Sequence, residues 1–275
     1  MTSRTPADLT IQPRDVAFGR NETFDRWWLG GDPVATAFYN ALSVTFPQGE
    51  RFFIEAVRHY RDRTPKTLQA QIKAFTQQES VHSREHVAFN RQITDHGYDI
   101  SAMEERERKL IEIDKRFPPA MQLAATAALE HFTAIMAHAV LANPRHMEGA
   151  KPQAARLWRW HAMEEIEHKA VAYDTYTCAV GGGPIRRYLL RAWVMLDVTL
   201  IFNIEIGLNI RDFFRQDGIN KPASWWRLLM YLFVRPGLFR NTARAYLAYY
   251  RPGFHPWQID DRDLLDAVRE ELAAA

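Results

Sequence analysis

The sequence predicts an all-α protein: a four-helix bundle carrying a C-terminal hydrophobic helical extension. Two observations establish the class. Apolar residues recur at intervals of three and four, and strand-like alternation is scarce. Proline, glycine and asparagine fall at intervals that suit helix starts and stops. A third observation orders the bundle: four segments each place acidic residues on an otherwise apolar seam.

The 275 residues divide into an N-terminal arm (1–32), the bundle (33–183) and the extension (184–275). The arm is polar and lacks the apolar run of a signal peptide. The first helix runs from Pro33 to Tyr60, with Pro47 a kink or break. Thr64 and Pro65 read as a capping residue followed by a first-position proline. The second helix continues to Asp95 and ends at His96-Gly97. The charged stretch from Met103 to Lys109 reads as a solvated crossover helix. Pro118-Pro119 opens the third helix and Asn143-Pro144 closes it. The fourth begins near Lys151-Pro152 and stops at the three glycines 181–183.

The second helix carries Ile72, Phe75, Glu79, His82, His86 and Phe89 on one face, and the fourth carries Leu157, His161, Glu165, His168 and Ala172. Each face thus holds one Glu-x-x-His pair. In the third helix Leu123, Ala127, Glu130, Ala134 and Ala137 share a face, with Glu130 its only charge. In the first, Phe46, Glu50, Phe53 and Val57 do the same around Glu50. Buried carboxylates cost several kcal/mol each unless compensated. A divalent cation compensates directly, since carboxylate oxygen and neutral imidazole nitrogen are its ligands. A single Glu-x-x-His arises often by chance; here both occurrences fall on apolar seams.

The expected ligands are therefore Glu50, Glu79, His82, Glu130, Glu165 and His168. His86 and His161 lie one turn beyond the motifs. They read equally as hydrogen-bonding supports of a ligand, as further ligands, or as polar core residues. Glu164 and Glu167 fall off the seam and read as solvated or paired with arginine or lysine. His131 and His138 read as structural. Tyr173 and Tyr176 read either as core residues or as redox-active phenols beside the metals. One cysteine, Cys178, excludes a thiolate site and an intrachain disulfide framework, and it points to a reducing, cytoplasmic setting. A carboxylate-dominated set for two ions suits iron, with manganese or a mixed iron–manganese pair as alternatives, better than zinc.

The order Glu, Glu-x-x-His, Glu, Glu-x-x-His over four helices is that of ferritin-like di-iron and di-manganese carboxylate proteins. The stretches FPQGERFF, QQESVHSREH, ALEHFTA and WHAMEEIEHKAVAYD, and RPGFHPW near the C-terminus, resemble a bacterial family of predicted metal-dependent hydrolases of ferritin-like type. The resemblance implies a ferritin-like four-helix bundle with a di-metal site.

From Tyr188 the extension is apolar but interrupted by Arg191, Asp197, Asn203 and Glu205. A spanning helix needs about 20 residues nearly free of charge, so this segment reads as buried or interfacial. The stretch SWWRLLMYLFVRPGLFR interleaves aromatics with arginines. It suits a helix peripheral at a membrane surface, packing on the bundle, or a dimer interface.

The leading expectation is a di-iron oxidase or oxygenase acting on an apolar, lipid-like substrate. Its expected partners are O2, an electron donor and a second copy in a homodimer. The alternative is a binuclear metal-dependent hydrolase. A third reading is non-enzymatic iron storage or ferroxidase activity. The formal net charge of +2 argues against nucleic acid as a partner.

Overall fold

Asp32 and Pro33 begin the first helix. In the computed structural model, which describes residues 5–6, 8–18 and 23–274, the Asp32 carboxylate accepts from the backbone N–H of Val34 (2.8 Å) and Ala35 (3.5 Å). Two of the N–H groups that lack an intrahelical partner are thereby satisfied. Helix α1 then runs Pro33–Tyr60. Pro47 does not break it. Having no N–H, Pro47 leaves the Ser43 carbonyl without its usual donor. Asn90 Nδ2 on the neighbouring helix donates to that oxygen at 3.1 Å. Ser83 Oγ donates to the Pro47 carbonyl at 3.0 Å. The break expected at Pro47 is thus bridged by α2, Lys66–Asp95.

Thr64 does not cap α2; Pro65 occupies the cap position, and the Thr64 hydroxyl donates back to the Arg61 carbonyl at 2.6 Å. The charged stretch forms α3, Ser101–Asp114, and α4 runs Pro119–Ala142 between its expected prolines. The fourth helix of the sequence reading is two helices, α5 (Pro152–His168) and α6 (Val171–Ala179). Lys169 lies buried in the turn between them. Its ammonium donates to the Ile259 carbonyl at 2.8 Å, pairs with Asp261, and sits 3.9 Å over the Trp257 ring. A buried cation requires an acid partner, and the turn sets Lys169 against the C-terminal segment that supplies one.

Gly182 (φ +100°) and Gly183 (φ +79°) take left-handed conformations that other residues adopt at a cost. They lead into α7 (Gly183–Gln216), followed by α8 (Pro222–Phe233), α9 (Leu238–Ala248) and α10 (Arg262–Ala274). No strand occurs among the described residues; Leu29 and Ala150 form one isolated bridge.

Helices α1, α2, α4 and the α5–α6 pair pack on one another. Helix α7 lies against α1 and α4, α3 against α1 and α7, α9 on α4, and α10 on α5. The apolar core is layered. Along α2, Ile72 and Phe75 belong to one layer and Phe89 to another. Glu79, His82 and His86 fall between them, so the fold sandwiches the ionisable groups between apolar layers. Within α7, Arg191 and Glu205 are buried while Asp197 and Asn203 are exposed. Among the described residues one helix, α4, is long and apolar enough to cross a membrane, and 72% of its apolar window is buried inside the fold.

Candidate metal centre

The seams predicted from spacing converge. Glu50 on α1, Glu79, His82 and His86 on α2, Glu130 on α4, and His161, Glu165 and His168 on α5 are all buried. One ligand atom from each of Glu79, His82, Glu165 and His168 lies within 4.8 Å of the others. Glu50, His86 and His161 form a second such group. Within the first group, His168 Nε2 is 3.1 Å from Glu79 Oε1 and 3.6 Å from Glu165 Oε1. His82 Nδ1 is 3.4 Å from Glu165 Oε1 and 3.9 Å from Glu79 Oε2.

Buried polar atoms are nearly always hydrogen-bonded, so the exceptions are informative. Both oxygens of Glu50, both of Glu79, Glu130 Oε1, Glu165 Oε2, His82 Nδ1 and His168 Nε2 have no hydrogen-bond partner. Every one of the six ligands expected from the sequence contributes at least one of these atoms. Neither His86 nor His161 does. His86 Nδ1 meets Ser43 Oγ at 2.8 Å, its Nε2 meets His161 Nδ1 at 2.8 Å, and His161 Nε2 lies 3.1 Å from Glu165 Oε1. Proximity alone would place His86 and His161 beside Glu50 as ligands. Hydrogen bonding also links them in a chain from Ser43 to Glu165.

The donor atoms that face away from the centre are held as metal-binding imidazoles usually are, by a carboxylate on the other ring nitrogen. Glu130 Oε2 is 3.0 Å from His168 Nδ1. Glu164 Oε2 is 3.1 Å from His82 Nε2. Glu164 thus stands beside the site; of the two expectations for it and Glu167, solvation fails because both are buried, and pairing with arginine holds. Arg14 of the N-terminal arm neutralises both, at 2.8 Å from Glu164 Oε1 and 2.8 Å from Glu167 Oε1. Arg269 adds a contact to Glu167 at 2.7 Å. Glu164 stands three residues after His161 and four before His168, a helical spacing that could have marked it, although the sequence reading set it off the seam. Nothing in the arm's composition marked Arg14.

Tyr173 and Tyr176 are not among the ligand groups. Their hydroxyls donate to the carbonyls of Phe254 (2.6 Å) and Arg187 (2.8 Å), which fits the core role rather than the redox one. His131 Nε2 is 3.1 Å from the Ala245 carbonyl and His138 Nδ1 is 2.7 Å from Asp261, both structural contacts. Phe75 packs edge-on to the His168 ring and Trp160 to the His82 ring. On its other side Glu50 lines a cavity between α1, α3, α4 and α7, walled mainly by apolar side chains.

Burial and the neighbouring carboxylates drive Glu50 and Glu79 well above the ordinary carboxylate range. Burial takes Glu130 to about 7 even against the pull of His168. Burial alone would lower His82, yet its bonds to Glu164 and Glu165 raise it to about 10. His168 is raised by Glu130 and Glu165 against the same opposition. Glu165, though buried, is held low by His168, His161 and His82. Burial lowers His86, and takes His161 to about 4.

These shifts fix a sign. Above the ordinary imidazole value, the folded metal-free protein keeps protons on Glu50, Glu79, His82 and His168 that the unfolded chain releases. Its stability therefore falls as pH rises from about 7 to about 9. The lowered His86 and His161 act below that window. Metal must displace the same protons, so the stabilisation it brings grows over that range. Thermal melts with and without Mn(II) at successive pH values measure both slopes. A metal-free protein that grows more stable from about pH 7 to about pH 9 would contradict the assignment.

Fold and site together define an all-α bundle with a buried, carboxylate-rich candidate metal centre. The chain belongs to the family described as predicted metal-dependent hydrolases, whose model matches residues 12–260. Searches of curated proteins and of solved structures found no match.

Proposed function

We propose that the chain is a hydrolase that works with two divalent ions and acts on an apolar substrate reaching the centre through the cavity at Glu50. The carrying observation is the set of unpartnered buried atoms on Glu50, Glu79, His82, Glu130, Glu165 and His168. These donors fit a pair of hard to borderline cations, since four carboxylates offset two divalent charges. The order of ligands over the helices supports placing the bundle among ferritin-like di-metal carboxylate proteins. Two bound ions would activate water as a nucleophile and polarise the scissile bond. The chain's own residues do the rest. Glu130 and Glu164 orient the two motif imidazoles, the His86–His161 chain orients Glu165, and Phe75 and Trp160 exclude water from the motif histidines. The family's description favours this reading over oxidation, which the sequence placed first.

Oxygen activation by an iron pair stands as the second reading. Its support is the dominance of carboxylate over imidazole in the donor set and the aromatic residues around it. One experiment separates the two. The metal-free protein is loaded with Zn(II) or Mn(II) under anaerobic conditions and offered a series of p-nitrophenyl acyl esters of increasing chain length. Hydrolysis that rises with chain length and needs the metal supports the first reading. No hydrolysis, together with O2 consumption by the Fe(II)-loaded protein, overturns it in favour of the second.

A further inference from the structure

The cavity that ends on Glu50 has walls that are largely apolar but charged groups of one sign only. Five carboxylates line it: Glu50, Glu107, Asp114, Asp197 and Glu205. Among the described residues no lysine, arginine or histidine does. The acids are arranged in rungs. Glu107 and Asp114 lie seven residues apart on α3, and Asp197 and Glu205 eight apart on α7, so each pair occupies one helix face. Glu107 shares a hydrogen bond with Glu205, and Asp114 feels the charge of Asp197.

Asp197 is exposed, and its neighbours along the cavity, Phe117 and Trp193, are exposed too, which makes the Asp114–Asp197 rung the outer one. Glu107 and Glu205 are buried and form the inner rung. Glu205 Oε1 has no hydrogen-bond partner, and neither oxygen of Glu50 has one. Gly49 completes the path. A Cβ there would stand 3.8 Å from Glu107 Oε1, so the inner rung lies against the residue next to Glu50. Arg106, whose charge reaches Glu205, is turned to Asn209 (2.8 Å) and Asp212 (2.7 Å), and neither it nor Arg51, whose charge reaches Glu50, lines the cavity.

Two acids facing one another in an apolar wall are costly even when they share a proton, as the hydrogen-bonded Glu107–Glu205 rung does. Low-dielectric walls lined by one sign of charge focus field and concentrate counter-ions. We propose that this cavity is the loading port for the divalent ions of the centre, with the Asp114–Asp197 and Glu107–Glu205 rungs passing each cation inward to Glu50. The port rests on the reading of Glu50 as a ligand. Burial raises Glu107 well above the usual carboxylate range, so a cation reaching the inner rung displaces a proton there.

The test mixes the full-length metal-free chain rapidly with Co(II) and follows the visible absorbance of the bound ion. The Glu107→Gln/Glu205→Gln double variant is expected to take up cobalt on the order of tenfold more slowly, with the wild-type endpoint and a weaker dependence of rate on salt. Asp197→Asn, a surface change that leaves the core untouched, is expected to slow uptake by a smaller factor in the same direction. Wild-type uptake rates in both variants overturn the port while leaving the metal centre intact. A wild-type chain that takes up no cobalt overturns the centre and the port together.

Discussion

Replacing Glu165 with alanine is expected to abolish tight metal binding. No other carboxylate of the set meets so many imidazoles. Its Oε1 lies 3.4 Å from His82 Nδ1, 3.1 Å from His161 Nε2 and 3.6 Å from His168 Nε2, and its Oε2 is unpartnered. Loss of a group that merely supports a ligand costs ~10–100-fold in metal affinity; loss of this one, which meets both motif histidines, exceeds that. Charge balance points the same way, because the remaining three carboxylates no longer offset two divalent ions. Calorimetric titration with Mn(II) reads the loss, and Tyr173→Phe serves as the matched control. Tyr173 is engaged with the Phe254 carbonyl, so its variant keeps wild-type affinity. Equal affinities in the Glu165→Ala and wild-type chains would remove Glu165 from the ligand set.

Replacing Arg14 with alanine is expected to cost about 3 kcal/mol of stability in the metal-free protein. Arg14 retains a fifth of its side-chain exposure, but its partners Glu164 and Glu167 have none. Removing it leaves the buried Glu164 with His82 as its remaining charged partner, and breaking a buried pair from one side is the expensive direction. The expected loss lies at the lower end of the range for such breaks because Arg269 still faces Glu167 at 2.7 Å. The same variant is expected to lose about tenfold in metal affinity, since Glu164 also holds His82 Nε2. Urea denaturation and metal titration give the two numbers separately. A stability loss below about 1 kcal/mol would show that the pair behaves as a surface contact.

The burial of the six expected ligands could be read from the sequence because apolar patterning and helical spacing act locally. Glu79 and His82 replace apolar residues on a seam that Ile72, Phe75 and Phe89 define, and no long-range contact is needed to see it. What the sequence left hidden depends on the third dimension. Arg14 and Glu164 are 150 residues apart and meet only because the arm crosses α5. The turn at Lys169–Ala170 lies inside a continuous helical pattern, and its reason is Asp261, supplied from beyond α9. Pro47 looks like a break in one helix because the amide that takes the Ser43 carbonyl belongs to another, at Asn90. The acidic rungs were hidden for the same cause. Glu107 read as part of a solvated stretch, Glu205 as an interruption of an apolar one, and only the packing of α3 on α7 sets them face to face. The reaction was the least legible feature, because the same donors serve hydrolysis with a redox-inert metal and oxidation with iron.

The central claim is that the seam of carboxylates and imidazoles holds two divalent ions. Metal analysis of the chain after anaerobic reconstitution and removal of loose ions tests it most directly. The expected result is about two Fe(II) or Mn(II) per chain, falling to one or none in Glu165→Ala, with a large rise in melting temperature on loading. A reconstituted wild-type chain holding no metal, and melting at the same temperature with and without it, would contradict the claim.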